Sequence, residues 1–245
     1  MKVSLFVLAI FVTILVHEFG HFIVAKLLRF RVAEFSIGIG PKIIQKRFRN
    51  TAYTLRAFPL GGYVSFQSKR DKLIPPLTGK FIEDIHWSRL LVVISGVLFN
   101  LLFVFGYLLF KATLVDQMNL ISAINFSITT VVKFIKMTFD LMTNIDNYQS
   151  ILGGAYQFSS QNTININATQ LFILQIHSFN LSCSAFNILP FPTLDGGQFL
   201  IMLVENIAKR KIPQDTKSFI NMICWIIIMG FFLWLTIRDL INIVF

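Results

Sequence analysis

Four stretches of this chain, roughly 3–25, 88–110, 168–190 and 218–237, are long and apolar enough to cross a bilayer, which takes about 20 residues as helix. Nothing else in the sequence narrows its fold so far. A backbone passing through lipid must satisfy its own hydrogen bonds, so long spans of this kind are helices. Composition agrees: of 245 residues, 55 % are hydrophobic and 14 % charged, against about 25 % charged in a soluble domain. The predicted fold is an α-helical polytopic membrane protein with about four transmembrane helices. The first stretch is longer than a signal-peptide core, lacks a small-residue cleavage site and carries ionisable groups, so it reads as a retained span.

The net charge of +10 raises the question of nucleic acid, but the charges sort by connection. Most basic residues, from Lys26 to Arg89, lie between the first and second spans, and Lys209, Arg210, Lys211 and Lys217 follow the third. The middle connection, 111–167, has only Lys111, Lys133 and Lys136. Positive residues stay on the cytoplasmic side. This pattern places the first and third connections inside and both termini outside, makes membrane lipid the partner of the basic excess, and leaves no nucleic-acid role. Cys183 and Cys224 are far apart and form neither a disulfide framework nor a metal pair, and read as small buried hydrophobes.

The connections are not plain loops. Between 33 and 66, β-favouring residues alternate with Gly38, Gly40, Pro41, Gly61 and Gly62, the pattern of short strands and hairpins. Residues 67–86, with Pro75 and Pro76, read as a cytoplasmic link. Over about 120–145, Ile121, Ile124, Ile128, Val131, Ile135, Phe139 and Met142 recur at helical spacing opposite Asn125, Thr129, Lys136, Asp140 and Thr143. That predicts one amphipathic helix on the outer surface or capping the bundle. The third span holds Gln175, His177, Ser178, Asn180, Ser182, Ser184 and Asn187, so it must face protein or water. It runs into "NILPFPTLDGG", where prolines and glycines break regular helix.

The first span contains "HEFGH". His17 and His21, four apart, share a helix face and can offer two imidazoles to one ion, with Glu18 beside them to act on a water. A catalytic zinc takes three protein ligands and keeps a fourth position open. The best third ligand is Asp195, the only acid in the third span and its extension. Charge topology brings it to the same depth: both the first and third spans finish on the cytoplasmic side. His177 lies several turns earlier, too far to share that ion, and reads as an interior histidine; His86 reads as solvated. Asn187 has two readings of equal weight, a helix–helix hydrogen bond or a polar group aimed at substrate or oxyanion.

"HEFGH" together with "NILPFPTLDGG" resembles the site-2 protease family of intramembrane zinc metalloproteases, and within it most nearly the branch of regulator of sigma-E proteases. The family pattern NxxPxPxLDGG is met at Asn187, Pro190, Pro192, Leu194, Asp195, Gly196 and Gly197. "FSIGIGPKI", "FPLGGYVSF" and "SGVLFN" (Ser95–Asn100) extend the resemblance over most of the chain. It implies that His17, His21 and Asp195 bind Zn2+ and that Glu18 is the catalytic acid/base. It also implies a membrane-associated β-hairpin that adds substrate as an edge strand, with Asn187, Gly61, Gly62, Gly196 and Gly197 as substrate-contacting positions. The implied substrates are transmembrane segments of single-pass membrane proteins, such as anti-sigma factors, or remnant signal peptides, in the bacterial inner membrane with the site near the cytoplasmic face. Members of this branch carry PDZ domains between the second and third spans. The middle connection here is too short for one, so the chain is read as a single protease domain over 1–245, with an accessory partner in the PDZ position. Two other functions use the same ligands: a metal-ion transporter, which would need ionisable groups across the whole membrane, and a non-cleaving metal-binding scaffold.

Overall fold

A computed structural model of the chain describes residues 2–67, 80–82, 84–143 and 168–244. Most of the proline-bearing link and all of the glycine-bearing segment 151–167 lie outside them. In order, the elements are α1 (Lys2–Leu27), β1 (Val32–Phe48), β2 (Thr51–Phe66), α2 (Ser88–Phe110) with a π-helical turn at Lys111–Val115, α3 (Leu120–Thr143), α4 (Ala168–Ile188), α5 (Asp195–Ala208) and α6 (Gln214–Val244). Among the described residues, the helical runs Ser4–Leu27 and Ser88–Val115 are long and apolar enough to cross a membrane. The other two apolar stretches fall within α4 and α6, helices of 21 and 31 residues.

The interior of the α1–α2–α4 bundle is small and polar while its outside is apolar. Thr13, Asn100, Asn180 and Ser184 are buried beside Ala9, Val97, Val104 and Ala185, whereas Phe6, Leu98, Leu102 and Phe103 are exposed. Lipid tails are as apolar as leucine, so small side chains and interhelical hydrogen bonds hold such helices together. Asn180 Nδ2 donates to Thr13 Oγ1 at 3.0 Å, joining α4 to α1. Thr13 in turn donates back to Ala9 O at 3.0 Å, spending its hydroxyl within its own helix. In α3 the same preference modifies the expected apolar face. Ala123 and Ser127 are fully buried, while Ile121 and Ile128 of that face stay exposed.

The strands form one antiparallel hairpin rather than several short ones, and it is folded back on itself. Phe35 pairs with both Val64 and Tyr53, and Ser36 with both Tyr63 and Thr54. Residues 34–37 therefore run between 62–65 on one side and 52–55 on the other. The fold occurs at Gly38 and Gly40, whose φ values of +90° and +87° suit glycine. Arg56 fastens it: its guanidinium donates to Ser36 Oγ and Gly40 O, both at 2.9 Å, and faces Glu34 at 3.4 Å. The hairpin base seats on the end of α1 through Phe30, Val32, Ala25 and Val92, with Val64 and Phe66 packed against them. The tip keeps Ile43, Ile44 and Phe48 exposed among Lys42, Lys46 and Arg47.

A buried charge cluster fixes α5. Arg89 and Glu205 are 2 % and 1 % exposed and pair at 2.9 Å. Arg89 also donates to Met202 O at 3.0 Å and Asn206 Oδ1 at 3.2 Å. Lys217 of α6 reaches Glu205 at 2.6 Å, and the Ile212 N–H donates to the same carboxylate at 2.9 Å. Burial alone would raise the Glu205 pKa. The Lys217 hydrogen bond, the Ile212 N–H and the charges of Lys217 and Arg89 outweigh it and hold the carboxyl below the usual glutamate range. Such a group stabilises the fold above its ordinary pKa of about 4.3, and the contribution fades as pH falls through the depressed value. Glu205→Ala, which strands Arg89, should cost about 3–5 kcal/mol. Thermal unfolding in detergent checks both effects: the wild type should lose stability on acidification below about pH 4, and Glu205→Gln should lack that component.

Candidate metal centre

His17 and His21 project from one face of α1, and the facing surface of α2 is shaped to receive them. Val92, Gly96 and Asn100 succeed one another at four-residue intervals along that surface. His21 Nδ1 lies 2.8 Å from Val92 O. A carbonyl only accepts, so Nδ1 carries the hydrogen and the Nε2 lone pair points away, into the site. His17 Nδ1 lies 3.4 Å from the side-chain amide of Asn100. Between them Gly96 leaves the gap the two rings occupy. A Cβ there would collide with His21 Nε2 and lie 2.7 Å from His17 Cε1. Gly20 does the same from α1, where a Cβ would come within 2.6 Å of Ser95 O.

Asp195 arrives from a broken helix. Regular α4 ends at Ile188; Leu189–Leu194 are non-helical and α5 begins at Asp195 itself. The loop is held by Leu194 N donating to Phe191 O at 2.8 Å and by the Gln198 amide bonded to Pro192 O. Gly196 and Gly197 are required by this turn: a Cβ on the first would strike Ile188 O, and on the second Phe191 O. Their crowding is against their own chain. The carboxylate sits in the first turn of α5, where the helix dipole favours negative charge.

The three side chains converge. Asp195 Oδ2 lies 3.1 Å from His17 Nε2 and 3.3 Å from His21 Nε2, and the two nitrogens are 3.3 Å apart. Asp195 Oδ2 is also a buried oxygen without a hydrogen-bond partner. Zinc–ligand bonds of about 2.0–2.1 Å in a tetrahedron give ligand–ligand edges of about 3.3 Å, so the triangle has the dimensions of one face of a zinc site. Among the described residues, His17, His21 and Asp195 are the group able to hold a metal ion. Glu18, adjacent in sequence, is not part of this triangle, and its stem packs against the hairpin: a Cβ on Gly62 would lie 2.8 Å from Glu18 Cγ. Gly61 beside it adopts φ +111°.

The remaining positions are not part of the triangle, although the Cys183 thiol interacts with His17. Asn187 donates to Cys183 O at 2.9 Å and Cys183 Sγ at 3.4 Å, bonds within its own helix. His177 stacks on Tyr107 with ring centroids 3.8 Å apart, away from the triangle. His86 is exposed and its carbonyl accepts from Asn206 at 3.4 Å. Cys183 and Cys224 are free thiols. The contribution of α2 is what sequence reasoning passed over. Its signal was "SGVLFN", where a small residue precedes an asparagine by one helical turn.

Comparison with known proteins points the same way. A family model described as Peptidase family M50 matches residues 5–231. A Thermotoga maritima protein named "Putative zinc metalloprotease" is 39 % identical over 113 residues, which are 45 % of this chain and 22 % of that protein. A relative of the same kind from Clostridium perfringens aligns over 96 % of this chain and 97 % of its own length at 23 % identity. That alignment runs over 326 residues, more than the 245 of this chain, so the relative carries segments without counterpart here. An Arabidopsis thaliana protein named "Probable membrane metalloprotease ARASP2, chloroplastic" is 39 % identical over 95 residues, 38 % of this chain and 22 % of its own length. The chain thus spans about a quarter of the length of several relatives it matches.

The gap at Gly96 yields a direct test. Gly96→Ala should displace the imidazoles and lower divalent-metal affinity by on the order of 10–100-fold, as removal of other ligand-orienting contacts does. Metal content after dialysis against a graded chelator series measures it.

Proposed function

The chain belongs to peptidase family M50, the site-2 proteases, and from that premise we propose that it is a zinc-dependent endopeptidase cutting transmembrane segments of single-pass membrane proteins. Anti-sigma-factor-like regulators and remnant signal peptides are the substrate classes. The observation that supports this most is the triangle of His17 Nε2, His21 Nε2 and Asp195 Oδ2, with edges of 3.1–3.3 Å, one residue from a carboxylate that is not part of it.

The residues divide the work. His17, His21 and Asp195 would hold a zinc ion, which would supply an acidified water and a polarising charge for the scissile carbonyl. Glu18 is the group that would accept a proton at the reacting centre and return it to the departing amine. The hairpin presents the substrate. Residues 62–66 pair with 32–37, and no second neighbour is described along their outer edge. A transmembrane helix hides its peptide bonds in its own hydrogen bonds; laid along this edge as an added strand, it is extended and its carbonyls become attackable. Gly62 brings that edge against Glu18, so strand addition and proton transfer occur at one place.

All four apolar helices cross the membrane in this reading. The basic residues of the hairpin tip and the 209–217 connection support a site near the cytoplasmic face of a bacterial inner membrane with both termini outside. The connection between the second and third spans is read as lacking a PDZ domain because of its short length, 111–167. An accessory partner then takes over substrate screening.

Co-expression with a tagged single-pass protein tests the assignment. Glu18→Gln should keep fold and zinc while lowering cleavage by at least about 100-fold, the lower bound for loss of a positioned general base. Undiminished cleavage would remove Glu18 from the chemistry, and its persistence in His21→Ala would remove the metal.

A further inference from the structure

We propose that Asn100 is a positioning residue for the metal centre: its amide oxygen accepts the Nδ1 hydrogen of His17 and so turns the Nε2 lone pair onto the ion. The inference rests on the reading of this triangle as a zinc site. Asn100 is fully buried on α2. As placed, its nitrogen Nδ2 faces His17 Nδ1 at 3.4 Å, and its oxygen Oδ1 is a buried acceptor with no partner. Nitrogen and oxygen of a side-chain amide are told apart by their hydrogen bonds rather than by shape, so the two orientations are weighed by what each demands.

With nitrogen toward the ring, His17 Nδ1 must accept. The ring hydrogen then sits on Nε2, aimed at His21 Nε2 and Asp195 Oδ2, and no lone pair remains there for a cation. With the amide turned over, Oδ1 accepts from Nδ1–H, the stranded oxygen gains its partner, and Nε2 is free to ligate. The released amide nitrogen can bond back to its own helix, as Asn180 does to Ile176 O at 2.7 Å and Asn187 to Cys183 O at 2.9 Å. His21 supports the second orientation independently. Its Nδ1 faces Val92 O at 2.8 Å, a group that fixes the same tautomer. Both ligands are thus oriented from α2, one by a main-chain carbonyl and one by a side-chain carbonyl two turns further along. Such outer contacts set tautomer and ring angle in metal sites and raise the basicity of the ligand.

The experiment compares the full chain in detergent, wild type against Asn100→Asp and Asn100→Leu. Zinc affinity is read by competition with a chromophoric chelator, and the unfolding midpoint by metal-free thermal melts. Aspartate can only accept when ionised, so Asn100→Asp should stay within a few-fold of wild type, whereas Asn100→Leu should lose about 10–100-fold at a metal-free midpoint close to wild type. Equal affinity in wild type and Asn100→Leu would overturn the inference. So would a loss in Asn100→Asp as large as in Asn100→Leu, which would mean the ring needs a donor. Should Asn100→Leu fail to fold, Asn100→Asp decides alone: affinity within a few-fold of wild type supports the acceptor, and a loss of about 10–100-fold overturns it. A wild type that takes up no zinc would bring down the metal reading and this inference together; a zinc-loaded wild type with an indifferent Asn100→Leu brings down only the inference.

Discussion

Two glycines, one on each of two antiparallel helices, set the separation on which the centre depends. Gly20 lets α1 approach the backbone of α2 at Ser95, and Gly96 opens the space into which both imidazoles fit. In lipid there is little hydrophobic gain from bringing helices together, so this close contact must come from shape and from the bonds it permits. The His21–Val92 and His17–Asn100 contacts are such bonds. They exist only at this separation. The helix pair and the ligand pair are therefore one arrangement: a side chain at position 96 would disturb the packing and the chemistry together.

The parts of the site that sequence reasoning reached were those with a period or a cost. His17 and His21 are four apart in an apolar run, a spacing and a setting that both demand an explanation. Asp195 was reachable because charge topology brings the ends of two spans to one depth. The α2 surface was not: "SGVLFN" displays Gly96 and Asn100, but that they and the Val92 carbonyl turn toward the two histidines is decided by helix packing. The hairpin was half legible. Alternation and glycine punctuation announced strands between 33 and 66. That residues 34–37 would pair on both sides is a tertiary event, resting on the bend at Gly38 and Gly40 and the reach of Arg56. Gly196 and Gly197 drew attention as positions for substrate, whereas their nearest neighbours are carbonyls of residues 188–191 of their own turn.

The polar content of α4 has a similar explanation. Asn180 and Ser184 are fully buried and bonded within the bundle, which is where a membrane protein can keep such groups. The expected amphipathic helix shows the converse. Periodicity located α3, but Ala123 and Ser127 are its fully buried residues, whereas Ile121 and Ile128 stay exposed. Hydrophobicity ranks residues by their distaste for water, and inside a bilayer that ranking no longer decides which face turns inward.

The crowded turn before α5 carries a kinetic corollary. Its glycines touch backbone, and the Gln198 amide ties it to Pro192 O, so the Asp195 carboxylate has little freedom to swing aside. A ligand with a loose tether lets a cation leave one bond at a time; a clamped one does not. Exchange of a bound ion would then require transient opening of the turn itself, and the lifetime of the loaded state would be a property of six residues of irregular backbone.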